Sequence, residues 1–146
     1  MRGQAVLNFP SIEWFAALRD LVNNDEKYHK LGTCETRAGF QVGNRCFELV
    51  LDAFQVGDIR ELKPAEADQS SDFVLEMDEA GWKEMLASIV ANGGADADHT
   101  LNTLVFPGRM KLRYRDSFGM DKFYLYNQSL QYLVNSAARL PGRAAA

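Results

Sequence analysis

The period of the apolar residues changes midway along this chain, and that change limits the folds it can adopt. Between residues 34 and 77, apolar and polar residues tend to alternate, as in RCFELVLDAF and DFVLEMD. A period of two is typical of strands with one buried face. From residue 79 onwards, Trp82, Met85, Leu86 and Ile89 recur at the spacing of one helix face. Strands and helices in separate blocks predict an α+β fold.

The first half of the chain is predicted to contain a helix and then a series of strands. Ser11 is expected to cap a helix that runs to residue 23 or 24. Turn signals at Gly43–Asn44 and Gly57–Asp58 separate the strands, and EADQSS is predicted to form a loop. Short turns between successive strands predict an antiparallel meander of about four strands.

The second half is predicted to contain three helices and one more strand. Asp78 is expected to cap the first of these helices, and Asn92–Gly94 to end it. An aspartate of ADADH is expected to cap a short second helix, which Pro107–Gly108 ends. RMKLRYRD predicts the last strand, and a long helix is expected from about Met120 to Leu140.

Length and composition indicate a single domain with a core over residues 11–140 and a frayed tail at 141–146. The net charge of -4 argues against nucleic-acid binding. No apolar run approaches the roughly 20 residues that span a bilayer, so no integral membrane association is expected. The N-terminus lacks the long apolar segment of a signal peptide, and a cytoplasmic protein is therefore expected.

No set of residues predicts catalysis, a metal site or a cofactor, so the chain is expected not to be an enzyme. His29 is expected at an exposed helix end. His99 follows two aspartates, which favours a helix start, although an Asp–His pair for acid–base chemistry stays open. Four carboxylates are expected on solvated strand faces or ends: Asp52, Asp72, Glu76 and Asp78.

Cys34 and Cys46 flank a predicted hairpin. A cross-strand disulfide is one alternative, but two free and mostly buried thiols are expected in a cytoplasmic chain. The cysteines and histidines do not have the spacing of a zinc site.

The last predicted strand carries a basic residue at every second position: Arg109, Lys111, Arg113 and Arg115. Such a stripe could contact anionic lipid headgroups or an acidic partner. The overall negative charge provides no supporting field, so a solvated outer face that discourages edge pairing is the preferred interpretation.

Two segments resemble the sterol carrier protein-2-like (SCP2-like) lipid-transfer family. DFVLEMDEAGWKEMLASI is similar to the family's strand and following helix with an acidic cap. HTLNTLVFPGRMKLRYRD is similar to its short helix and Gly-led strand, which a closing helix follows. The likeness extends over about residues 11–140, and in the first half it rests on element order. The chain departs from the family at Pro107 and lacks the usual peroxisomal ending.

The resemblance implies a five-stranded sheet, helices packed on one face and an apolar tunnel between them. Such a tunnel binds sterols, fatty acids or acyl chains without catalysis, and a polar group at its mouth could come from Tyr114, Tyr124 or Gln128. The expected lining comprises the inward-facing residues Phe47, Leu49, Leu51, Phe73, Leu75, Met77, Trp82, Met85, Leu86, Ile89, Leu104, Phe106, Met110, Leu112, Tyr114, Phe118, Phe123, Tyr126 and Leu130.

Two other functions stay open at this stage. A small enzyme of the ketosteroid-isomerase type has a similar size and an apolar cavity, but that fold usually ends in long strands. An accessory interaction domain with a filled core would show the same apolar pattern. A homodimer also stays open.

Overall fold

A computed structural model describes residues 7–140, and the structural statements below concern that part of the chain. The helices are α1 (Ile12–Asn23), α2 (Glu26–His29), α3 (Pro64–Ser70), α4 (Glu79–Asn92), α5 (Leu101–Val105), α6 (Ser117–Leu125) and α7 (Asn127–Asn135), with a 3-10 turn at Ser136–Arg139. The strands are β1 (Cys34–Val42), β2 (Arg45–Ala53), β3 (Gln55–Leu62), β4 (Phe73–Met77) and β5 (Lys111–Tyr114). The α+β class is confirmed, and the predicted tail at 141–146 lies outside the described residues.

The strands form one sheet in the order β3-β2-β1-β4-β5. Neighbouring strands are antiparallel except β1 and β4, which are parallel. The five-stranded, mostly antiparallel sheet is therefore confirmed, but the expected four-stranded meander is wrong. The chain leaves the edge strand β3, crosses one face of the sheet through α3 and re-enters the sheet as β4, between β1 and β5.

The predicted turn at Gly57–Asp58 is wrong, because these residues lie inside β3. The chain turns earlier, where Asp52 pairs with Gln55 and Ala53 adopts the left-handed region with φ of 54°. The register of the two strands shifts between Leu49 and Leu51. Such a bulge adds twist to a hairpin.

The predicted loop EADQSS is largely helical, as α3. Pro64 fits the first helical turn because its missing N–H has no partner there anyway. Glu66 accepts a hydrogen bond from the backbone N–H of Lys63 at 2.8 Å, which completes the cap. Ala67 packs with Cys46 and Val74 on the sheet face away from the other helices. Helices therefore cover one sheet face as predicted, but α3 in addition packs on the other face.

The single long helix predicted from Met120 to Leu140 is wrong. Asp116 caps α6, where its side chain accepts a hydrogen bond from the backbone N–H of Gly119 at 3.2 Å. The backbone leaves helical geometry at Tyr126, with ψ of 14°, and α7 starts a new helix there. The apolar period continues across the break, so periodicity alone did not reveal it.

Other predicted helix ends are confirmed. The side chain of Ser11 accepts a hydrogen bond from the Trp14 N–H at 3.0 Å, and that of Asp78 from the Gly81 N–H at 2.7 Å. Gly93 ends α4 in the left-handed region, with φ of 74°. The short helix α5 is capped by a residue that was not predicted, Thr100 instead of an aspartate.

Candidate functional site

The sheet face that meets most of the helices is apolar. Alternate residues of β2 and β4 point to this face, namely Phe47, Leu49, Leu51, Phe73 and Leu75, and each is at most 1% exposed. This alternation follows from the period-two geometry of strands. These residues form the floor of the candidate site.

Helices α1, α4, α5, α6 and α7 cover this floor with apolar side chains. Helix α4 contributes Trp82, Met85, Leu86 and Ile89, which are all buried. The indole N–H of Trp82 donates to the backbone oxygen of Gln41 at 2.7 Å and so ties the roof to β1. Floor and roof belong to one continuous buried cluster, which is called the apolar layer below.

Most of the predicted lining residues lie in the apolar layer. Two of them, Leu112 and Tyr126, are half-buried and pack against its margin. The buried ones are Phe47, Leu49, Leu51, Phe73, Leu75, Met77, Trp82, Met85, Leu86, Ile89, Leu104, Met110, Phe123 and Leu130.

The predicted inward orientation is wrong for three residues. Phe106 is 92% exposed because it follows the end of α5. Phe118 is 74% exposed, since Gly119 and Phe123 occupy the inner side of α6. Tyr114 ends the edge strand β5 and is 47% exposed. Periodicity shows which residues share a face, but it does not show which face meets the core.

A surface cavity of about 580 Å³ lies beside the apolar layer, between α1, α2 and the 3-10 turn. Its apolar wall comes from Ala17 and Leu21, which pack against the buried cluster. Its volume falls within the roughly 300–1,000 Å³ typical of small-molecule sites. Sequence reasoning missed this cavity because its walls come from opposite ends of the chain. The polar wall contains Asp20, Asn24, Asp25, Glu26 and Arg139.

Asp25 holds the two sides of this cavity together. Its carboxylate accepts hydrogen bonds from the Tyr132 hydroxyl at 2.6 Å and from the Arg139 guanidinium at 2.8 Å. The Tyr132 hydrogen bond is the main reason that the pKa of Asp25 lies below its ordinary value, and partial burial opposes it. The carboxylate therefore stays ionised and links α2 to the C-terminal helices.

The opposite sheet face contains a buried carboxylate that sequence reasoning missed. Glu48 is 0% exposed and accepts hydrogen bonds from Arg60 at 2.7 Å, Ser70 at 2.6 Å and Ser71 at 2.8 Å. Arg37 lies 3.4 Å away. Burial alone would raise the pKa of Glu48, but the hydrogen bonds and the Arg60 charge outweigh it and lower the pKa. Strand alternation placed Glu48 on a polar face, and only α3 buries it.

Asp72, predicted on a solvated face, is also largely enclosed. Its carboxylate accepts hydrogen bonds from the Thr36 hydroxyl at 2.8 Å and the Arg37 N–H at 2.9 Å. Arg115 and Lys122 each lie 3.2 Å from it. Burial opposes these contacts, yet the pKa of Asp72 is lowered on balance. A polar cavity of about 540 Å³ adjoins this cluster.

Three of the four residues of the basic stripe, Arg109, Arg113 and Arg115, are paired within the chain, whereas Lys111 is exposed, which amends the interpretation as a solvated face. Arg113 contacts Asp68 at 2.7 Å and Glu76 at 2.6 Å and is only 19% exposed. Arg109 contacts Glu84 at 3.2 Å. A cavity of about 300 Å³ lies beside Arg113, but the guanidinium hydrogen bonds are already directed at neighbouring side chains.

The two histidines occupy different settings. His99 has one ring nitrogen 2.7 Å from Asp96 and the other 2.7 Å from Glu84. These hydrogen bonds, the one to Asp96 first, raise the pKa of His99 and favour the imidazolium. His99 is thus an electrostatic link between α4 and the following loop. His29 ends α2 as predicted, but it is half-buried instead of exposed, and its Nε2 atom is enclosed without a hydrogen-bond partner.

The register of β1 and β2 rules out the cross-strand disulfide. Cys34 lies opposite Ala53, and Cys46 lies opposite Gln41, at the other end of the hairpin. Cys34 packs in the apolar layer, whereas Cys46 packs under α3 on the other face. Both thiols are free and buried. Burial raises the pKa of the Cys46 thiol to about 12.

Metal-ligating side chains do not cluster within residues 7–140: no group of three or more His, Cys, Asp or Glu side chains there could hold an ion. The same stretch contains no helix that is long and apolar enough to cross a membrane. The apolar layer and the cavity beside α1 are therefore the features that carry the functional argument.

The fold is similar to that of a protein of known structure. The solution structure of the conserved hypothetical protein TT1886 of Thermus thermophilus, described as a possible sterol carrier protein, matches with a TM-score of 0.59. The match covers 92% of each chain at 16% sequence identity. It shows the fold and agrees with the SCP2-like resemblance read from the sequence. Neither a protein-family profile nor a curated protein matches the chain.

Proposed function

We propose that this protein binds an apolar, lipid-like molecule between its sheet and its helices and does not act as an enzyme. The observation that carries the proposal is the apolar layer, which is continuous across the sheet and occurs in a fold like that of a possible sterol carrier protein. Sterols, fatty acids and acyl chains are the candidate ligands. The protein would act in the cytoplasm.

The cavity beside α1 is the proposed mouth of this site. Ala17 and Leu21 give it an apolar wall that continues into the apolar layer. Carboxylates dominate its polar wall, at Asp20, Asp25 and Glu26, and Asp25 already neutralises Arg139. The negative charge of this wall favours a ligand whose polar end is uncharged or cationic over a ligand with a free carboxylate, because like charges repel.

The energetics allow binding of moderate affinity. Burying about twelve methylenes at roughly 0.8 kcal/mol each provides on the order of 10 kcal/mol. The translational and rotational freedom that the ligand loses, together with the ordering of side chains, removes about half or more of this free energy. Micromolar affinity is therefore expected. Met77, Met85 and Met110 lie in the layer, and unbranched methionine side chains can rearrange around a ligand.

A fluorescence titration tests the proposal. Trp14 and Trp82, at most 3% exposed, would transfer energy to a fluorescent sterol or fatty-acid analogue bound between sheet and helices. Delipidated protein should show saturable transfer at one ligand per chain. Ala17→Phe should weaken binding by narrowing the mouth, whereas the matched change Ala65→Phe, on exposed α3, should not. Equal effects of the two variants would contradict the assigned mouth, and absence of binding would contradict the function.

An interaction domain with a filled core is the second candidate. It is favoured by the tight packing of the apolar layer, where Leu49, Leu75 and Met85 are each 0% exposed. In that case no analogue would transfer energy in the titration. An enzyme of the ketosteroid-isomerase type gains no support, since the fully buried carboxylate, Glu48, lies on the other sheet face and is paired with arginine.

A further inference from the structure

Helix α6 is apolar on more than one side, although this chain covers only one of them. Its sequence SFGMDKFYL carries large apolar residues on both faces. Inside the protein, Phe123 is fully buried, and its ring lies 5.7 Å from that of Phe73. On the outside, Phe118 is 74% exposed and Leu125 is 73% exposed. A helix with large apolar residues on two sides normally buries both sides, so the outer side of α6 lacks its cover.

The exposed side of α6 has a self-complementary order of residues. Phe118, Asp121, Lys122 and Leu125 are three, four and seven positions apart and therefore share one helix face. A two-fold axis between positions 121 and 122 would relate two such helices in antiparallel orientation. It would bring Phe118 of one copy against Leu125 of the partner subunit, and Asp121 against Lys122 of the partner subunit.

Further exposed apolar residues lie near the two ends of α6. Tyr114 borders the start of α6, where its Cβ atom would lie 3.2 Å from a Cβ placed on Gly119. Phe106 lies one turn beyond Asn102, which is hydrogen-bonded to Asn127 just after α6. The large apolar residues around α6 and their exposed fractions are Phe106 92%, Phe118 74%, Leu125 73%, Tyr124 55% and Tyr114 47%.

The area of this face suits a protein interface. Large apolar side chains offer about 200 Å² each, so Phe118 and Leu125 expose about 300 Å² on this face, and the other three residues around α6 bring the exposed apolar area to about 700 Å² per copy. A stable interface buries about 800 Å² on each partner. Single exposed apolar residues are normal on a protein, but several of them gathered around one helix indicate an interaction site.

We propose that the α6 face is a two-fold dimer interface, in which α6 of one copy packs antiparallel against α6 of a second copy. Phe118 and Leu125 form its apolar contacts, and Asp121 and Lys122 set its register. Lys122 is about a third exposed while it contacts Asp72 at 3.2 Å, so its ammonium can serve both carboxylates. The dimer would cover the outer side of α6 and hold this helix over the apolar layer.

A second copy fits this face better than an anionic lipid surface. The whole chain carries a charge of -4, which repels anionic lipids. All the basic residues near α6 except the exposed Lys111 are also engaged by carboxylates of the same chain: Arg109 with Glu84, Arg113 with Asp68 and Glu76, and Arg115 and Lys122 with Asp72.

Analytical ultracentrifugation of the full chain over a range of concentrations tests the dimer. The wild-type chain of 16.4 kDa should sediment as a dimer that dissociates on dilution. Phe118→Glu and Leu125→Glu should each weaken the dimer by more than about thirtyfold, because they place a charge at the centre of an apolar contact. Both residues are exposed in the monomer, so thermal unfolding should show folded variants. The control Phe54→Glu, 47% exposed at the β2–β3 turn, should remain dimeric.

The charged pair gives a test of register that does not depend on apolar area. Asp121→Lys should weaken the dimer because it sets a second ammonium against Lys122 of the partner subunit, whereas the control Asp121→Glu, which keeps the charge, should remain dimeric. Asp121→Cys should form a disulfide-linked dimer under mild oxidation, whereas Phe54→Cys should not. The native cysteines are buried and should not interfere.

Several results would overturn the proposal. One is a wild-type chain that stays monomeric up to concentrations on the order of 100 µM, well above the dissociation constant of a stable interface. Another is a dimer that survives Phe118→Glu. A third is flotation of a monomeric chain with phosphatidylglycerol vesicles that Phe118→Glu abolishes, since a membrane would then cover the face. The ligand titration does not use this face, so failure of one proposal leaves the other standing.

Discussion

Replacing Glu48 by glutamine removes one negative charge from the interior while the side-chain volume is nearly kept. Glu48 is 0% exposed, and its oxygens accept hydrogen bonds from Arg60, Ser70 and Ser71. In the variant one carboxylate oxygen becomes an NH₂ group that faces other donors. The two arginines near Glu48 also lose their counter-charge.

The size of the stability loss in Glu48→Gln depends on how deeply the carboxylate and its arginine partners are buried. Breaking a buried ion pair from one side costs about 3–5 kcal/mol. Arg37 and Arg60 are each 49% exposed, so water partly replaces the lost partner. The expected cost of Glu48→Gln is therefore about 2–3 kcal/mol at neutral pH, at or just below the lower limit of that range. For a domain of this size this lowers the Tm by roughly 4–12 °C.

Urea unfolding followed by circular dichroism measures this difference, and Glu61→Gln is the matched control. Glu61 also forms an ion pair with an arginine, Arg45, at 2.8 Å, but on the surface. Such surface pairs contribute under about 1 kcal/mol. If Glu48→Gln costs no more than Glu61→Gln, the charge on Glu48 does not stabilise the fold and the reasoning is wrong.

The pH dependence supplies an independent check on Glu48. Its pKa is lower in the folded chain than the ordinary 4.5, so its ionised form stabilises the fold above that pH. This contribution is lost as the pH falls through the folded pKa. The stability difference between wild type and Glu48→Gln should be largest above pH 4.5 and shrink below it. A difference that is constant with pH would show that packing, and not charge, causes the loss.

Two further changes test the close packing at Gly119 and the electrostatic contacts of His99. Gly119→Ala should destabilise the fold by about 1–3 kcal/mol, because the added Cβ would collide with the backbone oxygen of Asp72. The control Gly57→Ala has room for its Cβ and should leave the Tm nearly unchanged. Equal Tm values for the two variants would contradict this reasoning. The raised pKa of His99 stabilises the fold below pH 6.5, and that contribution is lost as the pH rises through the folded pKa. His99→Gln should thus lower the Tm at pH 6 more than at pH 9, and a loss independent of pH would argue against the imidazolium.

The sequence predicts the elements that have a clear period or a clear cap. Residues of α4 and β2 show periods of 3.6 and 2, and Ser11 and Asp78 cap their helices as expected. The short helix α3 was missed because it buries little more than Ala67 and so shows no amphipathic period. The break at Tyr126 was missed because the apolar residues keep their spacing through it.

The candidate site was predicted less completely than the fold. Alternation placed the inward-facing residues of β2 and β4 on the same side, since all strands of one sheet share its two faces, although β1 lies between these two strands. It could not locate the cavity beside α1, where Ala17 and Leu21 meet Arg139 from the far end of the chain. Nor could it show that α3 buries Glu48, because strand alternation gives the side of the sheet but not what covers it.

Native mass spectrometry tests the central claim most directly. The protein is purified under gentle conditions, and its mass is compared before and after organic-solvent delipidation and after back-titration with a sterol and a long-chain fatty alcohol. The account predicts one lipid-sized adduct per chain that delipidation removes and back-titration restores. A chain that carries no adduct and takes up neither lipid would contradict it, and the apolar layer would then be a filled core.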